Sequence, residues 1–113
     1  ISGGENINAI NYFESEYILK KNRKKAEKLF EEFEFMLTPT TGTIYKIEEV
    51  QNNPIELNTN LGYYTNYMNL LDLSAIAVPA GFRENGLPFG VTVVAKNFEE
   101  EKLLSYASKY LGV

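Results

Sequence analysis

The segment from Leu61 to Val94 constrains the fold of this chain more than any other segment does. Two short apolar stretches, Ala75 to Val78 and Phe89 to Val94, lie on either side of the dipeptide Asn85-Gly86. Asn-Gly favours a tight turn with positive backbone angles, and the second apolar stretch lacks the alternation of a half-exposed strand. We therefore predict two strands, the second covered on both faces, that form a hairpin or are neighbours joined by a tight link. Three residues are expected to bound these strands: Pro79, Gly81 and Pro88.

Apolar residues at intervals of three and four predict a long amphipathic helix from about Asn8 to Phe33. A second helix, capped by Asn58 or Thr59, is predicted to run to about Leu71. It carries apolar side chains on several sides, which is typical of a buried helix. Three amides interrupt it and are expected to be core hydrogen-bonding groups or ligand contacts: Asn60, Asn66 and Asn69.

A last helix is predicted to begin after Asn97, which would serve as its N-cap, and to end before Gly112. The apolar run from Phe35 to Leu37 predicts a short buried strand that stops at Pro39. The loop from Thr38 to Thr43 is rich in hydroxyl groups. Those hydroxyls suit either a small polar ligand or neighbouring backbone groups, and the second interpretation is favoured because loop threonines usually bond locally.

The order helix, strand, helix, strand, strand, helix indicates an α/β or α+β layer arrangement. Three helices are too few to cover a three-stranded sheet whose central strand is fully apolar. We therefore expect the sheet to continue in another stretch of polypeptide. Residues 1–113 are therefore interpreted as a single partial domain, in which residues 1–7 form a flexible lead-in.

Composition excludes several classes of function. The chain has no cysteine and no histidine, so it can form neither a thiolate zinc site nor a Ser-His-Asp or Cys-His catalytic site by itself. Its net charge of -4 argues against a nucleic-acid surface, and the basic cluster from Lys20 to Lys28 is interpreted as a solvated helix face. No membrane partner, metal or cofactor is predicted.

Five motifs, in this order, resemble those of amidase signature enzymes: Leu37 to Thr41, Asn69 to Leu70, Val78 to Phe82, Gly86 to Val91, and Asn97 to Leu111. The resemblance extends from about Phe13 to Val113. It implies the C-terminal fragment of an α/β/α fold, whose mixed sheet is flanked by helices. Enzymes of that family attack an amide carbonyl with a Ser-Ser-Lys triad, and the resemblance places those motifs upstream of this chain.

Within that family, Asn69 to Leu73 and Thr41 to Tyr45 resemble allophanate hydrolases more than glutamine amidotransferase subunits. Those amidotransferases carry an acidic residue that binds the substrate ammonium, about where Leu61 and Gly62 stand here. The resemblance therefore implies hydrolysis of allophanate, a carboxylated urea, to ammonia and carbon dioxide in urea degradation.

The resemblance also implies the candidate substrate-binding residues, which are Tyr17, Arg23, Thr40, Gly62, Tyr63 and Asn66. For Arg23, a solvated charge remains the favoured interpretation because lysines surround it. No catalytic residue is predicted in this chain, since none of its serines has a glycine-rich context that exposes a nucleophile. Asp72, next to a predicted helix end, is interpreted as a backbone contact.

We therefore expect a chain that is inactive alone and completed by an N-terminal amidase half carrying the triad, in the cytoplasm. Self-association through exposed strand edges is also expected, which makes a homo-oligomer a possible assembly. Two alternatives stay open. In the first, the chain is a non-catalytic module for binding or assembly that keeps the amidase fold. In the second, it is a fragment of another amidase, such as the A-type chain of a glutamyl-tRNA amidotransferase.

Overall fold

A computed structural model of the chain describes residues 2–113, with side chains from residue 3 onward. A short 3-10 helix, Ser2–Asn6, precedes the other elements. Five α-helices and three β-strands follow in the described chain: α1 Ala9–Glu32, β1 Met36–Pro39, α2 Ile47–Asn52, α3 Pro54–Leu61, α4 Asn66–Leu70, β2 Ser74–Phe82, β3 Pro88–Ala95 and α5 Glu100–Leu111.

The three strands form one sheet in the order β1-β3-β2, and both pairings are antiparallel. β2 and β3 form the predicted hairpin, with Gly86 in the turn at a φ of 79°. Leu37, Val93 and Ile76 lie side by side across the three strands and therefore point to one face. The strands predicted from the sequence are present at the predicted places.

The core is small because only one helix packs closely on the sheet. α5 lies against β2 and β3, where Leu103, 2% exposed, packs with Val93 and Ala95. Phe35 and Ile76 pack against this cluster from its margin. The apolar face of α5 thus drives its placement, as expected for an amphipathic helix that covers one face of a sheet.

The long helix α1 matches its prediction, and the side chain of Asn8 caps it by accepting a hydrogen bond from the backbone of Asn11. α1 contacts the rest of the chain along one narrow stripe. The side chains of that stripe are the ones that are not exposed: Glu16, Leu19, Arg23, Ala26 and Phe30. Arg23 Nε donates to the carbonyl oxygen of Leu70 over 2.9 Å, which joins α1 to the end of α4.

The prediction of one helix from Asn58 or Thr59 to Leu71 is wrong. The structure has two helices there, α3 and α4, and the segment around Gly62 separates them. Pro54 stands in the first turn of α3, where its missing N–H costs nothing, so the helix starts earlier than predicted. The separate helix α2 was not predicted.

The predicted burial of this region and of the strand at 35–37 is also wrong for the chain as it stands. Leu37 is 63% exposed, Tyr63 74% and Leu70 58%. All three amides, Asn60, Asn66 and Asn69, are exposed too. An apolar pattern indicates that a side chain is suited to apolar contacts, but within the described residues this chain does not supply enough of them to bury these side chains.

The predicted N-cap at Asn97 is wrong, because α5 begins three residues later and its N-cap position, Glu99, makes no side-chain capping bond. The buried hydroxyl of Ser74 takes over that role. Ser74 Oγ accepts the N–H of Glu99 at 3.4 Å and donates to Glu100 Oε1 at 2.8 Å. The predicted stop at Gly112 is confirmed, with a φ of 71° in the left-handed region.

Pro79 and Gly81 lie inside β2, not at its boundary as predicted. Pro79 pairs with Gly90, and a register shift before Gly81 leaves Ala80 unpaired. Because β2 is at the edge of this three-stranded sheet, its free side can accommodate the nitrogen of a proline. The lead-in at residues 1–7 contains the 3-10 helix Ser2–Asn6, and Ile1 lies outside the described residues.

The molecule is a thin slab with extents of 50 × 43 × 18 Å. Its accessible surface is 8946 Å², whereas a compact protein of this mass exposes about 6,300 Å². Its radius of gyration of 17.3 Å likewise exceeds the value of about 13 Å expected for a compact chain of this length. In the described residues, no helix is both long enough and apolar enough to cross a membrane.

Candidate functional site

An open groove of about 750 Å³ lies at the end of the sheet where β1 gives way to the threonine-rich loop. Its lining is mainly apolar and comes from three places. The loop supplies residues 39–42 and Ile44, the hairpin supplies 77–79, 83 and 88–91, and Tyr64 closes one side. We call this the threonine groove. A mainly apolar concavity with a few polar groups has the character of a small-molecule site.

Thr40 is fixed at the floor of the threonine groove by β3. Its backbone N–H donates to the carbonyl of Gly90 over 3.4 Å, and its hydroxyl bonds that of Thr92 over 2.9 Å. A Cβ on Gly90 would lie 3.0 Å from the carbonyl oxygen of Val78 and 3.3 Å from Thr40 Oγ1. The absence of a side chain at Gly90 therefore lets the loop approach the sheet closely.

The other groove threonine is also engaged locally, because Thr41 Oγ1 donates to the carbonyl oxygen of Thr43 over 3.2 Å. Tyr64 lies beside this loop, since a Cβ added at Gly42 would be 3.5 Å from its ring, an ordinary van der Waals contact. The Thr41 hydroxyl thus bonds a neighbouring backbone group, as favoured from sequence, whereas the Thr40 hydroxyl bonds a side chain of β3. Both hydroxyls retain capacity for further hydrogen bonds.

Gly62 and Asn66 form a close pair at the start of α4. A Cβ on Gly62 would lie 2.6 Å from Asn66 Oδ1 and 2.9 Å from its Cγ, a distance that real Cβ atoms do not reach. The Asn66 side chain therefore occupies the space that glycine leaves free. Tyr63 lies between them and is exposed, with its ring edge-on to that of Tyr64 at 5.1 Å.

The structure brings only part of the candidate set together. Thr40 lines the threonine groove, and Tyr63 adjoins it through Tyr64. Tyr17 and Arg23 instead border a separate concavity on α1, together with lysines of that helix. Tyr17 is 70% exposed, and the Nε of Arg23 is engaged by the carbonyl of Leu70. The role of each residue toward a substrate stays a prediction.

Arg83 was missed by the sequence analysis, although it is the cation that lines the threonine groove. The turn holds it in place, since Arg83 N–H donates to the carbonyl of Leu87 over 2.8 Å and its carbonyl accepts from Gly86 over 2.9 Å. No carboxylate within the described residues forms a salt bridge with it. The sequence feature that could have indicated Arg83 is its position between the end of an apolar strand and the Asn85-Gly86 turn.

The serines of the described side chains are not arranged as nucleophiles. Ser74 is buried and bonded to Glu100, while Ser15, Ser105 and Ser108 are exposed on helices. Asp72 has a φ of 57°, and its carboxylate accepts a hydrogen bond from the Asn97 amide over 3.4 Å. This is a contact between two side chains, and not the backbone contact that was interpreted from sequence. Burial raises the pKa of the Tyr67 hydroxyl above its ordinary value of 10.0.

Comparison with known proteins assigns residues 3–104 to the Amidase family. Urea amidolyase of Saccharomyces cerevisiae is 36% identical over 110 residues, which are 97% of this chain and 6% of that protein. The A-type chain of glutamyl-tRNA(Gln) amidotransferase from Thermodesulfovibrio yellowstonii is 36% identical over 85 residues, 74% of this chain and 17% of that one. The chain thus spans a small fraction of the length of these relatives.

The fold of this chain is also found in solved structures, among them the following two. Kluyveromyces lactis allophanate hydrolase, carrying a serine-to-alanine substitution, superposes with a TM-score of 0.89 at 36% identity over 99% of this chain and 18% of that one. The A-type chain of Thermotoga maritima glutamyl-tRNA(Gln) amidotransferase has a TM-score of 0.70 at 30% identity, covering 81% of this chain and 20% of its own. The predicted α/β fold class, a fragment of the larger amidase fold, is confirmed.

Proposed function

The chain belongs to the amidase family, and we propose that it forms the C-terminal part of an allophanate hydrolase, whose nucleophile is supplied by the preceding part of the fold. One observation carries this proposal. The chain matches the allophanate hydrolase structure over almost its whole length with a TM-score of 0.89, whereas the match to the amidotransferase is shorter and less close, at 0.70.

In this proposal the chain supplies the wall of the catalytic cavity. Amide hydrolysis by a serine nucleophile needs a hydroxyl activated by a base and a closed site that holds the small substrate in place. Thr40 and the neighbouring hairpin form a rigid surface, because backbone bonds and the hydroxyl bond to Thr92 fix the loop. A rigid wall keeps the substrate carbonyl oriented toward a nucleophile on the other side.

The proposed substrate contacts are those implied by the family resemblance. Thr40 lies in the threonine groove, and the pair of Gly62 and Asn66 presents an exposed amide next to Tyr63. An amide that donates and accepts suits the ureido group of allophanate. Tyr17 and Arg23 complete the proposed set as contacts made from α1, with Arg23 offering the guanidinium nitrogens that Leu70 does not engage.

A hybrid enzyme tests the function. In it, the segment of catalytically intact Kluyveromyces lactis allophanate hydrolase that this chain matches is replaced by residues 1–113. We expect the hybrid to release ammonia from allophanate, and we expect the 113-residue chain alone to release none. The parent enzyme and a version from which the segment is simply deleted serve as the two controls.

The alternatives predict different results. A hybrid that folds but hydrolyses glutamine in preference to allophanate would identify an amidotransferase-type segment. A folded hybrid without either activity would support the non-catalytic binding or assembly module. Turnover by the isolated chain would contradict the assignment of the nucleophile to another part of the protein.

The setting of the protein is proposed on the same basis. The partner of the chain is the N-terminal half of the amidase, whether in one polypeptide or in two, and the location is the cytoplasm. Fractionation with an antibody against the chain tests the location, and co-purification of the complementary half tests the partner.

A further inference from the structure

Helix α1 carries a row of apolar side chains that does not face the rest of the chain. Ile10, Phe13 and Tyr17 are 69%, 59% and 70% exposed. At about 100° per residue, this row lies roughly 140° around the helix from the stripe through Leu19 and Ala26, which contacts the rest of the chain. We call the row of Ile10, Phe13 and Tyr17 the outer stripe. α1 is thus apolar on two sides in its first half.

The outer stripe stops after Tyr17. The positions that continue the same side of the helix are all charged: Lys20, Lys24, Lys28 and Glu31. A helix exposed to solvent along its outer side would be polar throughout. The change from apolar to charged within one helix therefore marks the place where a covering surface ends and solvent begins.

The amount of uncovered surface agrees with a missing neighbour. The chain exposes 8946 Å², which is about 2,600 Å² more than a compact protein of its mass. Single exposed apolar residues are ordinary, whereas a contiguous row of large ones marks an interaction surface. The outer stripe is such a row, on an element whose other side is already packed.

We propose that the outer stripe docks into an apolar surface of the amidase fold that lies outside this chain, so that α1 is an interior helix in its first half and a surface helix from Lys20 onward. This rests on the proposed function in one respect, namely that the chain is part of a larger amidase. The Kluyveromyces lactis structure supports that occupant over a second copy. It superposes on 99% of this chain with only 18% of its own length, so α1 has a counterpart in a fold that is several times larger.

Thiol labelling of the hybrid enzyme tests the docking without reference to activity. The chain contains no cysteine, so Phe13→Cys and Lys28→Cys each introduce a unique thiol into this segment. Lys28 is the matched control, because it is exposed in the chain and lies on the same side of the helix, in the half that the proposal leaves in solvent. Mass spectrometry of the α1 peptide follows the labelling rate of each thiol in the native protein.

We expect the thiol introduced by Phe13→Cys to react at least about tenfold more slowly than the thiol introduced by Lys28→Cys, since a covered thiol reacts only after local opening. Equal rates would overturn the proposal. Protection that is lost on dilution would also overturn it, because the occupant would then be a second copy. Where Phe13→Cys prevents folding, Ile10→Cys gives the same comparison, since Ile10 belongs to the outer stripe and to none of the proposed substrate contacts. Protection in a hybrid that hydrolyses no allophanate would leave the docking intact while contradicting the proposed function.

Discussion

Gly62 and Asn66 are coupled by the space they share. Because a Cβ at position 62 would lie 2.6 Å from Asn66 Oδ1, Gly62→Ala must displace the Asn66 side chain. The backbone itself tolerates alanine, since Gly62 has a φ of -81°. Because the Asn66 amide is the exposed end of a rotatable side chain, it can move aside, and we expect the free energy of unfolding to fall by no more than about 0.5 kcal/mol. In the hybrid enzyme, loss of one Asn66 contact to substrate should raise KM for allophanate about tenfold, equivalent to about 1.4 kcal/mol.

The matched control is Asn66→Ala, which removes the side chain that an alanine at position 62 would displace. In an Asn66→Ala background, Gly62→Ala has no amide to displace, so the second substitution should leave KM and stability nearly unchanged. Steady-state ammonia release by the four proteins of this cycle gives the coupling directly. Additive effects of the two substitutions would show that the pair is not coupled and that Gly62 is required for another reason.

At the scale of elements, one hydroxyl joins the start of α5 to β2. Ser74 accepts the N–H of Glu99 and donates to the carboxylate of Glu100, in place of a side-chain cap at the helix N-terminus. Ser74→Ala removes both bonds at a site that is 5% exposed, and we expect a loss of about 1–2 kcal/mol. Hydrogen exchange of the first amides of α5 in the hybrid should become faster. Ser105→Ala, on the exposed side of α5, should leave that exchange unchanged.

A second contact fastens α5 to the segment before β1. Tyr106 Oη donates to Glu34 Oε2 over 2.5 Å, and Lys102 Nζ lies 3.7 Å from Glu34 Oε1. The Tyr106 hydroxyl, and next to it Lys102, lower the pKa of Glu34 from its reference value of 4.5, and the same bond to Glu34 raises the pKa of Tyr106 from 10.0. The carboxylate form of Glu34 and the neutral form of Tyr106 are thus the forms that the fold favours.

The sign of the pH dependence follows from these two shifts. The stabilisation is present above the unfolded-state pKa of Glu34, near 4.5, and is lost as pH falls below it through the lower folded value. It is also lost as pH rises above 10.0 through the raised pKa of Tyr106. Thermal unfolding of the hybrid and of its Tyr106→Phe variant should differ between about pH 5 and pH 9 and converge outside that window. A difference that persists below about pH 4 would show that the Tyr106 hydroxyl stabilises the protein independently of the charge on Glu34.

Sequence patterns predicted the elements whose signals are local. The capped helix α1, the hairpin around Gly86 and the stop at Gly112 rest on neighbouring residues alone, and the structure has all three. The missed features depend on contacts between distant residues. Ser74 replaces the predicted cap at Asn97 because the fold brings β2 against the start of α5. Likewise, Thr40 was implied as a site residue by a family resemblance. The close approach of its loop to the sheet, which the missing side chain of Gly90 permits, is visible only in the structure.

At the scale of the whole molecule, apolar patterning consistently overestimated how much of the chain is buried. Residues predicted to be buried, such as Leu37 and Leu70, are exposed, while no comparable set of predicted surface residues is buried among the described side chains. An 18 Å slab has room for about one helix layer on a sheet, which is one layer fewer than an α/β/α arrangement contains. We interpret these errors as the effect of that missing layer, which would have to cover the residues that are exposed here.

The same geometry determines how the chain behaves when it is separated from its complement. About 2,600 Å² of excess surface, much of it apolar, is comparable to one side of an obligate interface, and both outer strands of the sheet have one unpaired edge within the described residues. We expect the isolated chain to self-associate, with a mass by light scattering that rises with concentration, and to bind a hydrophobic dye strongly. The hybrid enzyme, in which the same surface is covered, should do neither beyond the level of its parent. Since cover by the rest of the fold is what suppresses association, a stable isolated monomer that binds no dye would mean that this surface does not need a complement.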